Sequence, residues 1–287
     1  MAKTYHLRAN TLLLFFLKAL LVLVILNVIV LGLEYYFKHY TTSSITGSYS
    51  FKYYVTGMFS FDGEKNIPSF FSTINFLLSA ACLFLISGHI KRSDKPLHHR
   101  KWYLLGFIFV WLAMDELLSI HELIGKPTIA FLKFLLQQDN LGALHFGWFV
   151  PYLIILALIG LYFIKFVFSL PASTLKGMVV AGVVFLTGAV GMEVVGGYVS
   201  AGGGEASILY KVCYTLEEAL EMLGIILFIH TLVRYMERLG NVEVNLSFGS
   251  SAATARNAPF LAAERSEDTE WAAFANNAFE KENTHSA

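Results

Sequence analysis

Runs of about twenty apolar residues recur along this chain, and they constrain its fold more than any other feature. At about 1.5 Å per residue, a helix of that length crosses a hydrocarbon core about 30 Å thick. The pattern predicts spans at 16–37, 69–90, 102–124, 148–170, 177–198 and 208–233. The expected fold class is therefore all-α, an integral membrane bundle of six transmembrane helices. Composition agrees: 56% hydrophobic against 15% charged residues places the 287-residue chain with multi-pass membrane proteins rather than soluble enzymes. The first run is too long for a signal-peptide core and no small-residue cleavage site follows it, so it reads as a retained span.

Orientation follows from the link between the second and third runs. Lys91 to Lys101 is the densest basic stretch in the chain, and short Lys/Arg-rich links stay in the cytoplasm. Six spans then place both termini in the cytoplasm, in a plasma membrane or, in a prokaryote, the inner membrane. A Tyr- and Ser-rich loop leads to about Pro68, and the mildly amphipathic stretch 126–147 is expected to lie along the outer surface. Beyond Gly240, residues 241–287 hold seven acidic residues against three basic ones and no continuous apolar face, which reads as a largely disordered cytoplasmic tail. No basic run is interleaved with aromatics, so nothing points to nucleic acid as a partner. Cys82 and Cys213 are expected at different depths, as small apolar side chains and not as a disulfide.

The third run contains Asp115, Glu116, His121 and Glu122. A charged side chain at the centre of a span costs roughly 2.5–3.5 kcal/mol on insertion scales, so such a group is a functional candidate by default. Counted along each helix, Asp115, Glu193, Glu218 and Glu221 all fall about 20–24 Å from the cytoplasmic edge. Glu217, Glu218 and Glu221 share one face of the sixth span, and Asp115, Ser119 and Glu122 share one face of the third, with Glu116 at its border. His121 joins them only if the helix bends or unwinds. Glu193 lies beside a seven-residue stripe of Gly182, Ala189 and Gly196, which predicts close approach of a neighbouring helix and an inward-facing carboxylate. His145, just before the fourth span, is placed to close over the site.

Seven carboxylates at one depth meet no Lys or Arg there, so protons or bound cations must neutralise them. The leading expectation is a divalent metal ion (Fe, Mn, Zn or a Ca/Mg-type ion) held by Asp115, Glu116, His121, Glu122, Glu193, Glu218 and Glu221. Glu217 is the candidate general base of a membrane-embedded enzyme acting on an apolar or lipid-like substrate. The chain lacks the several histidines at fixed spacing that Crest-type hydrolases and histidine-box desaturases need. Two other classes stay open: a proton- or cation-coupled transporter, and an accessory subunit whose acidic tail contacts a membrane-complex partner. The match between Met114–Leu118 and Leu216–Leu220 hints at an inverted repeat, but the two copies fall at similar rather than mirrored depths.

Overall fold

A computed structural model describes residues 8–40, 51–93 and 98–240. They are helical almost throughout, with no strand among the described residues: α1 (Ala9–Tyr40), α2 (Phe51–Phe59), α3 (Ile67–Lys91), α4 (His99–Leu118), α5 (Ile120–Leu136), α6 (Phe149–Phe168), α7 (Ala172–Leu186), α8 (Glu193–Gly203) and α9 (Ile208–Leu239). A 3-10 turn, Gly142–Leu144, precedes α6, and a π-helical segment, Thr187–Met192, joins α7 to α8. The chain divides after Val242. Residues 241–287, expected to form the acidic tail, lie outside the described residues.

Four helical runs are long and apolar enough to cross a membrane: α1, α3, α6 and the continuous stretch Ala172–Gly203. A fifth results if α4 and α5, bent by 79° at their junction, count as one span. By length and composition alone these account for four or five of the six expected spans. The sixth run, α9, has the length at 32 residues, but Glu217, Glu218 and Glu221 interrupt its apolar stretch. It is the helix the others pack around: α1, α3, α7 and the π-helical segment lie against it, and Met222, Ile226 and Leu232 are buried along its length. A helix covered by protein needs no lipid-compatible surface.

Three local readings also change. The supposed loop before Pro68 contains α2, and the third run stops being straight at Leu118. The space around Gly182 is open, and a Cβ on Gly196 would meet only ordinary contacts with Cys213 and Tyr210, so the seven-residue stripe does not make the close approach. Gly188 and Gly224 make it instead, at the seam between α9 and the α7–π run. Gly182 precedes the π-helical segment, and the face of α7 turned to α9 there carries Gly177, against Thr231, and Phe185, against Gly224, rather than Gly182. Cys82 and Cys213 are both free and buried.

Two asparagines, both fully buried at 0% exposure, show opposite hydrogen-bond fates. Asn27 of α1 donates to Thr215 Oγ1 at 3.0 Å and accepts the Phe61 N–H at 2.9 Å, tying α1 to α9 and to the chain after α2. Neither side-chain atom of Asn75 in α3 has a partner among the described residues. An unpaired buried polar group costs about 1–3 kcal/mol, while removing a satisfied one leaves its partners unpaired at similar cost. Thermal unfolding in detergent should therefore separate the two: Asn27→Leu is expected to lower Tm and Asn75→Leu to raise it or leave it unchanged.

Candidate functional site

The site is assembled at the end of the bundle where α3 begins and α4 ends. Asn66 organises the approach: its side chain accepts the Ser69 N–H at 3.2 Å, capping α3, and donates to the carbonyls of Ser60 at 2.6 Å and Gly63 at 2.8 Å. The folded turn presents Glu64 toward Ser119, whose hydroxyl donates to Glu64 Oε2 at 3.2 Å. Ser119 has left-handed backbone angles, φ 55 and ψ 46, and is the residue at which α4 ends and α5 begins. For a residue with a Cβ that conformation costs roughly 1–2 kcal/mol, so surrounding contacts must hold it.

The bend brings His121 into the site, meeting the condition set by the sequence. Its Nδ1 lies 3.3 Å from Asp115 Oδ2 and its Nε2 lies 3.6 Å from Glu64 Oε1. A neutral imidazole carries one N–H and a protonated one carries two, so a ring facing carboxylates on both sides is suited to be their counterion. The network continues through Tyr152, which donates to Asp115 Oδ1 at 2.8 Å. Trp148 packs on the His121 ring at 5.0 Å and donates its indole N–H to Glu193.

Glu193 is the first residue after the π-helical segment and is buried, as an inward-facing carboxylate should be. Its carboxyl lies close to that of Glu217. Glu116, Glu218 and Glu221 complete the interior group, each within electrostatic range of His121 and Glu64. Asp115 thus lies against His121, and Glu116, Glu193, Glu217, Glu218 and Glu221 lie within electrostatic range of His121 or of one another. Glu122 is exposed and does not join them. His145 lies at the edge, 3.4 Å from Ser200 Oγ and 3.9 Å from Glu205 Oε1.

An acidic rim of Asp62, Glu34 and Glu205 lies outside the interior group. Asp62 keeps more than a third of its surface, yet the protein around its carboxyl, followed by the Glu34 and Glu205 charges, pushes its pKa up to about 6. Lys211 opposes that shift and is itself paired with Glu34 at 2.7 Å. Away from the rim, the interior is closed by phenylalanines: Phe76 meets Phe109 at 6.1 Å and Phe185 at 6.0 Å, and Phe109 stacks on Phe228 at 4.6 Å. Phe109 precedes Asp115, and Phe228 follows Glu221, by about two helical turns, so this floor lies roughly 10 Å beyond the carboxylates.

Among the described residues no three His, Cys, Asp or Glu side chains are arranged to hold a metal ion as they stand. His121 in particular has both ring nitrogens turned to carboxylates and none to an open position. Sequence reasoning missed Glu64, Trp148 and Tyr152. The only signal for Glu64 was an acidic pair, Asp62 and Glu64, directly before an apolar run.

Residues 13–236 match the family model described as Domain of unknown function (DUF8692). The chain belongs to the DUF8692 family. The matched range takes in every residue of the carboxylate group and stops before the acidic tail. No curated protein and no solved structure matches the chain.

Proposed function

We propose that this DUF8692 chain is a six-span membrane protein and that its carboxylate group is the centre of a cation-dependent enzyme acting on an apolar or lipid-like substrate. In this reading α9 is the shielded sixth span, the basic stretch Lys91–Lys101 lies in the cytoplasm, and the rim carrying Asp62 and Glu205 opens on the other side. One observation carries it: carboxylates from α4, α8 and α9 and from the turn before α3 face one another with His121 as their sole interior cationic partner among the described residues. Oxygen-rich sites of this kind take hard or borderline divalent ions. Mutual repulsion spreads unneutralised carboxylates, and a bound cation would draw Glu116, Glu218 and Glu221 inward. Asp115, His121 and Tyr152 would then hold and move the proton, and the phenylalanine floor supports a site entered from one side.

Elemental analysis of protein purified in detergent without chelator tests the proposal. The expected result is about one equivalent or more of one divalent metal, reduced severalfold by Glu218→Gln and unchanged by Glu122→Gln. Less than about a tenth of an equivalent of every divalent metal, magnesium and calcium included, would remove it.

A second reading, proton-coupled transport, is favoured by the closeness of the Glu193 and Glu217 carboxyls and by the doubly paired His121. Proteoliposome flux that is lost in Glu193→Gln, from protein without bound metal, would select it.

A further inference from the structure

At the opposite end of α9 lies a second polar site that the carboxylate centre does not use. A cavity of about 110 Å³ opens between the start of α7 and the end of α9, lined by Ser173, Thr174, Gly177, His230, Thr231, Arg234 and Arg238. By the same measure one water needs on the order of 10–15 Å³, so the space suits a small polyatomic group. We propose that this cavity binds a phosphate group, and specifically the headgroup phosphate of an anionic lipid.

The argument begins with charge. His230, Arg234 and Arg238 follow one another at four-residue spacing and so share one face of α9. The two guanidinium charges at that spacing repel each other, and an anion between them would relieve the repulsion. No protein carboxylate fills that place: among the described residues neither arginine forms an ion pair. Glu237, the nearest acidic residue along the helix, accepts the Ala9 N–H of α1 at 2.8 Å, and His230 Nε2 is occupied by Asn10 Oδ1 at 3.1 Å.

The donors form the second part. Arg238 donates to Ser173 Oγ, which holds its guanidinium at the cavity wall. Thr174 is only 3% exposed and lines the cavity. The first turn of α7 follows Pro171 and carries no side-chain cap, so its leading N–H groups add further donors with the positive end of the helix dipole. Guanidinium forks, a hydroxyl and backbone N–H groups converging on one small cavity match tetrahedral phosphate oxygens. A basic pocket between spanning helices at a bundle end lies where lipid headgroups lie, which favours the lipid as the source.

Thermal unfolding of the full-length protein in non-ionic detergent tests this in three arms: inorganic phosphate, mixed micelles containing phosphatidic acid, and mixed micelles containing phosphatidylcholine. Saturable stabilisation by phosphatidic acid beyond that by phosphatidylcholine is expected, weakened at least about fivefold by Arg238→Gln and by Thr174→Val and largely kept by Arg234→Lys. Equal stabilisation by inorganic phosphate alone would retain the anion site and reassign it to a free ligand. No response of the wild-type protein to phosphate or to phosphatidic acid overturns the proposal whether or not the variants fold, as does a response that all three variants share undiminished.

Discussion

Replacing His121 with alanine is expected to destabilise the protein by about 3 kcal/mol, at the lower end of the 3–5 kcal/mol typical when one partner of a buried ion pair is removed. The lower end applies because the three side chains keep 11–26% of their surface. What is lost is less the attraction itself than the neutralisation of Asp115 and Glu64, which would be left facing each other across the Ser119 bend. The control is the simultaneous removal of those charges: His121→Ala combined with Asp115→Asn and Glu64→Gln should recover most of the loss. Denaturant or thermal unfolding in detergent gives the cycle, with neighbours coupled by more than about 0.5 kcal/mol. Additive losses across the set would mean that His121 packs against Trp148 and does not act as a counterion.

The same residue shows where the sequence was readable and where it was not. Helical spacing placed Glu217, Glu218 and Glu221 on one face of α9, because α9 is a regular helix and its periodicity holds. Spacing could state only a condition for His121, since the bend depends on a left-handed Ser119 whose hydroxyl donates a hydrogen bond to a residue 55 positions away. Glu64 escaped notice for the same reason: it lies outside the apolar runs, and a turn built by Asn66 delivers it. Five of the expected runs are apolar helices or helix pairs by length and composition, and α9 is not among them. Hydropathy measures fitness for lipid, and α9 is covered mainly by protein. The π-helical segment left no mark that periodicity could detect. Glu193, the first residue after it, is buried all the same.

Substitution at the two seam glycines is expected to have the largest structural effect of any single methyl group in the chain. A Cβ on Gly224 would lie 2.6 Å from Phe185 Cβ and 2.7 Å from its backbone nitrogen, and one on Gly188 would lie 2.6 Å from the Glu217 carbonyl oxygen. Backbone atoms cannot rotate aside as a side chain can, so α9 must separate from the α7–π run. Overpacking of this kind costs about 1–3 kcal/mol, and Gly224→Val should exceed Gly224→Ala. Gly182→Ala is the internal standard: nothing lies within 4 Å of its added methyl, and replacing an interior helix glycine gains up to about 1 kcal/mol of propensity. The two seam positions should also differ in function. An added methyl at Gly188 meets Glu217 and Glu221, so displacement there moves the carboxylates apart, whereas the atoms nearest one at Gly224 all belong to Phe185. If the proposed cation site exists, Gly188→Ala is therefore expected to weaken cation binding at temperatures where the protein remains folded, and Gly224→Ala to lose stability first. If both variants melt as the wild type does in detergent, the helices are not in the close contact that positions the site.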